Sequence, residues 1–165
     1  MLTGILVSNV TVAGALASEP GVHLQRATLT VSDLEKSLAF YRDGLGFRVR
    51  TRSPYDTPAL RRMFAIPNDA QPELLILDAH AEQSRALALI HAPGMTADAA
   101  SNRVNAPALV FSTAQLDQLH ARLEQSGVEV LLPPTVLHDF SGKPYGRESA
   151  YLDPDGVRVI LFEYD

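Results

Sequence analysis

The chain has 165 residues, enough for one domain with its own core, and its formal net charge is −5. Hydrophobic residues make up 46% of it and charged residues 20%, a globular balance without the basic stripe that nucleic-acid binding needs. Cysteine is absent, which removes disulfides, thiolate metal sites and cysteine nucleophiles together.

Residues 1–21, "MLTGILVSNVTVAGALASEPG", are apolar and end in small residues. They have the apolar region and cleavage-like end of an export signal but no positively charged start. An extra strand or helix packed on the domain reads equally well, and localisation stays open between cytoplasmic and exported. No segment is long and apolar enough to span a bilayer as a helix.

From residue 22 short β-rich runs dominate. "VHLQRATLTV" (22–31) predicts a strand. "SDLEKSLAFYRDG" (32–44) predicts a helix with a Ser32/Glu35 capping box, a buried stripe of Leu34, Leu38 and Tyr41, and a stop at Gly44. Residues 46–53, 61–67, 73–79 and 85–92 read as strands between turn residues. Residues 93–105 read as a linker. The order then recurs: a strand at 106–112, a helix at 113–127 with a Ser112/Gln115 capping box and a stripe of Leu116, Leu119 and Leu123, and strands at 128–136, 146–152 and 157–164. "DPDG" (153–156) supplies the last tight turn. The strand–helix–strands pattern thus occurs twice, with modules at 22–95 and 105–165. Neither half can bury a small sheet alone, so the two are expected to pair into one curved, partly closed eight-stranded mixed sheet with helices outside, an α+β fold. Such a sheet presents a concave face suited to a ligand.

"LTVSDLEKSLAFYRDGLGF" (29–47) and "YLDPDGVRVILFE" (151–163), joined by the duplicated βαβββ order, resemble the vicinal oxygen chelate superfamily, which includes glyoxalase I, bleomycin-resistance proteins and extradiol dioxygenases. The resemblance covers residues 22–165. It implies, in metal-using members, one ligand on each of four strands facing the concave side, usually His, Glu or Gln. Carried over one at a time, those positions fall on Arg26, Ala88, Ala108 and Ile160, with Pro107 as a one-residue slip of the third. Arginine has no lone pair and repels a cation, and alanine and isoleucine donate nothing. His23, His91 and Glu163 each lie three residues from an expected position, an odd offset that turns a strand side chain to the other face. The expectation is that the family's metal site is gone and that no cofactor replaces it.

Period-two alternation puts Arg26, Thr28 and Thr30 on the concave face, with Ala88 and Ile90, Ala108 and Val110, and Ile160 and Phe162. The pattern in relatives adds Glu148, Ala150 and Leu152. A buried Arg26 needs a partner, either Glu148 in a salt bridge or an anionic ligand. The loop at 137–148 holds His138, Lys143, Tyr145, Arg147 and Glu148. It reads either as a mobile cover, freed by Gly142 and Gly146 with Tyr145 stacking on or hydrogen-bonding to a ligand, or as a plain polar hairpin. His120 reads as solvated surface, and His91 as a structural histidine.

The expected ligand-binding set is therefore Arg26, Thr28, Ala88, Ile90, Ala108, Tyr145, Glu148, Ile160 and Phe162. Three functions remain open, in this order: a metal-independent binder of a small carboxylated or aromatic molecule; a metal-free lyase or isomerase in which Arg26 stabilises an enolate or carboxylate while Glu148 or Tyr145 moves the proton; and a metal-dependent glyoxalase or dioxygenase. Family habit implies a homodimer.

Overall fold

A computed structural model describes residues 24–95 and 107–164. The first module runs β1 (Ala27–Thr30), α1 (Leu34–Leu38, continuing as a π-helical stretch over Ala39–Gly44), β2 (Arg48–Pro54), α2 (Pro58–Phe64), β3 (Glu73–Asp78) and β4 (Leu87–His91). The second runs β5 (Ala108–Ser112), α3 (Leu116–Gln125), β6 (Val130–His138), β7 (Pro144–Leu152) and β8 (Arg158–Tyr164). Paired βαβββ modules are present as expected. Their ladders form two four-stranded mixed sheets, ordered β1-β4-β3-β2 and β5-β8-β7-β6. In each module the first strand runs parallel to the last, and the remaining pairs are antiparallel. No helix among the described residues is long and apolar enough to cross a membrane. The export-signal reading of residues 1–21, His23 and most of the linker lie outside the described residues.

One core serves both modules. On one face of the first sheet, Leu75, Leu77, Leu87 and Leu89 are buried, and on one face of the second so are Tyr151, Val159 and Leu161. They meet both helical stripes, Leu34, Leu38 and Tyr41 with Leu116, Leu119 and Leu123, in a single apolar cluster. Each fully buried leucine contributes about 1.5–3 kcal/mol, so neither half retains this stabilisation without the other. Phe47 and Phe111 join the modules edge to face, with ring centroids 5.3 Å apart.

The helix ends differ from the sequence expectation. Asp33, not Ser32, caps α1, its Oδ1 accepting from the Glu35 and Lys36 amides at 3.1 Å. Ser32 instead bonds across the modules to the Asp155 carboxylate. Gly44 does not stop the helix through a left-handed turn; Gly46, at φ 84°, provides that. Gly44 is required by proximity, because a Cβ there would lie 2.7 Å from Leu123 Cδ2. For α3 the Ser112/Gln115 box does not form: Glu163 Oε1, on β8, accepts the Leu116 amide at 3.2 Å. At α1 a neighbouring aspartate takes the cap while Ser32 is drawn to the other module, and at α3 a carboxylate from a distant strand takes it.

The segment at 61–67 is not a strand. Thr57 Oγ1 accepts the Leu60 amide, Pro58 opens the helix, and Ala65 closes it at φ 51°. The signal was available in "TP", since proline suits a first helical turn. This α2 segment packs on the first sheet: Leu60, Ile66 and Ala70 form a second apolar cluster with Ile90 and Ala92.

Candidate functional site

Each sheet has one face on the common core and one turned away from it. Register fixes what the second face carries. Thr28 pairs with Ala88 and Thr30 with Ile90, while Ala88 pairs with Ile76. In the second sheet Val110 pairs with Ile160, Ile160 with Ala150, and Phe162 with Glu148. Alternation along the strands thus brings the strand positions among them onto the faces opposite α1 and α3.

Their accessibility is uneven. Arg26, Thr28, Thr30 and Ala108 are exposed, and Val110 is 62% exposed. Ile160, Phe162 and Glu148 are half-buried. Ala88 and Ile90 are closed off at 1% each, Ile90 by the α2 cluster. The α2 segment therefore covers part of the face that the sequence left open.

Arg26 and Glu148 form no ion pair in this structure. Arg26 is exposed, so burial does not demand a partner. On β7, Glu148 pairs in register with Thr135 and Phe162. Two other arginines are each held by two carboxylates. Arg147 bridges Asp117, at 3.0 Å, and Glu163. Arg52 bonds Glu35 and Glu73, each at 2.8 Å.

Tyr145 reaches the site by a route that alternation does not give. It is the extra residue where β7 bulges between the Leu137–Gly146 and His138–Pro144 pairs. Its ring lies 6.2 Å from Phe162, whose ring lies 4.4 Å from Tyr164. The three rings form a partly exposed aromatic group that the sequence reading found only in part.

Gly146 is not a hinge. It is buried, and a Cβ there would lie 2.6 Å from the Glu163 carbonyl oxygen and 3.0 Å from Phe162 Cζ. The loop is a tied hairpin: Asp139 Oδ1 accepts from the Ser141 hydroxyl and from the Ser141 and Lys143 amides. Those bonds, the Ser141 hydroxyl first, hold the Asp139 carboxyl below its usual range. Phe140 at the tip is fully exposed.

The four positions that would carry a metal hold Arg26, Ala88, Ala108 and Ile160, and this donor set does not fit a divalent ion. Among the described residues, no three His, Asp or Glu side chains converge to hold one. His91 and Glu163 are engaged elsewhere. His91 Nδ1 donates to the Val31 carbonyl at 3.0 Å, and Glu163 is held by Arg147 and the Leu116 amide. His120 is not solvated surface: it is half-buried, with Nδ1 3.0 Å from the buried Tyr151 hydroxyl.

Two βαβββ units, fused through one core and presenting open sheet faces, define an α+β fold of the glyoxalase type. The chain belongs to the glyoxalase/bleomycin resistance protein/dioxygenase superfamily, whose family model matches residues 23–161. Among solved structures it is similar to a glyoxalase family protein from Bacillus cereus, at 17% identity and TM-score 0.69, covering 91% of this chain and 99% of that one. It is similar to a glyoxylase/bleomycin resistance protein/dioxygenase domain from Frankia sp. EAN1pec, at 22% identity and TM-score 0.62, covering 87% and 98%. It is also similar to the trypanothione-dependent glyoxalase I of Leishmania major, at 22% identity and TM-score 0.58, covering 87% of each chain. At these identities the likeness is one of fold. A comparison with curated proteins finds no match.

Proposed function

We propose that this protein binds a small carboxylated or aromatic molecule against its open sheet faces, without a metal. One observation carries the reading: at the positions where metal-using relatives place ligands, this chain has an exposed arginine and apolar side chains, and its second sheet carries a partly exposed Tyr145–Phe162–Tyr164 group. A planar guanidinium suits a carboxylate, and ring faces suit a flat body. Arg26 clamps the anion, Thr28 donates beside it, Ala108 and Ile160 form the apolar wall, and Tyr145 and Phe162 stack. Ala88 and Ile90, at 1% exposure each, lie beneath this surface and do not touch the ligand.

A second reading shares the site. Arg26 and Glu148 form no ion pair with each other, which leaves a cation and a carboxylate for a bound carbonyl compound. That pair serves a metal-free lyase or isomerase, with Arg26 stabilising enolate charge and Glu148 or Tyr145 moving the proton. A homodimer is part of the proposal. Leu131 and Val136, 44% and 47% exposed on the edge strand β6, supply apolar surface for a second copy.

The test is a thermal-shift screen of small aromatic carboxylates against their neutral amides, with metal content measured on the same sample. Carboxylates should raise the melting temperature, and Arg26→Ala should abolish the rise while melting like the parent. Equal shifts from acid and amide, or a stoichiometric divalent metal in the purified protein, would refute the proposal. Turnover that Glu148→Gln removes while binding persists selects the lyase reading. Light scattering checks the dimer.

A further inference from the structure

A cavity lies between the two modules, on the side of the helices. Its volume is about 820 Å3, and it is lined by none of the residues assigned above to the ligand. One wall comes from α1 and its π-helical continuation, through Lys36, Ala39, Phe40 and Asp43. The other comes from the end of α3, the start of β6 and the 153–156 turn, including Leu123, Val128, Glu129 and Leu152. Clefts between packed units are among the places where small ligands bind preferentially.

The walls are tied to each other. Tyr41 Oη donates to Asp153 Oδ2 at 2.7 Å, and the Ser32 amide and hydroxyl donate to Asp155. Gly44 lets Leu123 approach, and its carbonyl accepts from Arg122 at 3.3 Å. These ties cross the module boundary and hold the cleft at a fixed width. The π-helical stretch is a form found mostly as single turns and frequently at functional sites. Because Leu45 N bonds Phe40 O rather than the nearer carbonyl, the turn that carries Phe40 and Asp43 into the wall is widened.

The charge of the lining selects an occupant. Four carboxylates, Asp43, Glu129, Asp153 and Asp155, face one ammonium, Lys36. Asp153 and Asp155 are held by the bonds just named, Asp43 is paired with Arg42, and Lys36 with Asp33. The exposed Glu129 carboxylate has no hydrogen bond or ion pair among the described residues. Ala39, Phe40, Leu123, Val128 and Leu152 supply apolar surface beside it. We propose that this inter-module cleft is a second ligand site, taking an organic amine whose apolar body lies between the modules and whose ammonium meets Glu129.

The experiment titrates the full chain with 2-phenylethylamine, and with 3-phenylpropionate as the anion of similar shape, following backbone amide NMR shifts. The amine should move amides in residues 36–44 and 123–130, saturably, and the anion should not. Glu129→Gln should weaken amine binding about two- to fivefold, the effect of one exposed ion pair, and added salt should narrow the difference. Ala39→Trp, at an exposed helical position, should fill the cleft and remove amine binding. Arg26→Ala should leave it unchanged, which separates this site from the one on the open sheet faces. Equal binding of amine and anion, shifts confined to the open faces, no saturable shift with the amine, or amine affinity unaltered in both Glu129→Gln and Ala39→Trp would overturn it.

Discussion

Tyr41, on the helix of the first module, donates its hydroxyl to Asp153 in the last turn of the second, at 2.7 Å, and both side chains are buried. Asp153 Oδ1 meanwhile accepts the Asp155 and Val157 amides, so one carboxylate shapes the turn and ties it to α1. Burial still pushes the Asp153 carboxyl above its ordinary value, against those bonds. Burial first, and Asp153 second, push the Tyr41 phenol up as well. Tyr41→Phe keeps the ring and removes only the donor. It should cost about 1.5–3 kcal/mol, the scale of a hydrogen bond to a charged group, read from urea unfolding. A change within error would mean that water replaces the phenol at no cost.

Two glycines sit under close contacts of different kinds. At Gly146 a methyl would meet a backbone carbonyl, which cannot turn aside, whereas at Gly44 it would meet the end of a leucine side chain. Gly146→Ala should therefore destabilise by about 3 kcal/mol and Gly44→Ala by about 1 kcal/mol, both by overpacking. Gly44→Ala also recovers helix propensity. The reverse order in melting experiments would contradict this account.

The α2 segment keeps Ile90 out of solvent through Leu60, Ile66 and Ala70. Leu60→Ala should cost about 2–4 kcal/mol through the cavity it leaves. It should also speed hydrogen exchange selectively at the Ile90 and Ala92 amides. Uniform acceleration across both sheets would show that α2 is part of the global folding unit instead.

Stability should fall on both sides of neutrality. Hydrogen bonds from arginine hold Asp43, Asp56, Glu73, Asp78 and Glu163 below their ordinary values. The Lys36 amide does so for Asp33, and the Ser141 hydroxyl for Asp139. A carboxylate lowered in the folded state takes its proton first in the unfolded chain as the pH falls. Its contribution is therefore present above the unfolded value and lost below it, around pH 4. Asp153, raised by burial, has the opposite sign, but it stands against seven. On the alkaline side the unfolded chain loses the Tyr41 proton first, so stability should drop as the pH passes 10.0. Urea midpoints across the pH range check both limbs, and Tyr41→Phe should flatten the alkaline one.

The amphipathic stripes were legible in the chain because burial of leucine depends on spacing alone. Leu34, Leu38 and Tyr41, and Leu116, Leu119 and Leu123, all lie in the core they were expected to build. The duplicated order and the two βαβββ modules followed from the same periodicities. The family emerged from two local motifs, and the residues standing in for its metal ligands are a matter of sequence. What depends on atoms distant in the chain was not legible. Asp155 engages Ser32, leaving the local Asp33 to cap α1, and Glu163, distant in the chain, accepts the first amide of α3. The bulge that swings Tyr145 toward Phe162 breaks the period-two rule, so counting could not find it. Closure of Ala88 and Ile90, exposure of Arg26 and the cleft between the modules arise only when separate elements pack, since accessibility belongs to the assembled surface and not to any residue's place in the chain.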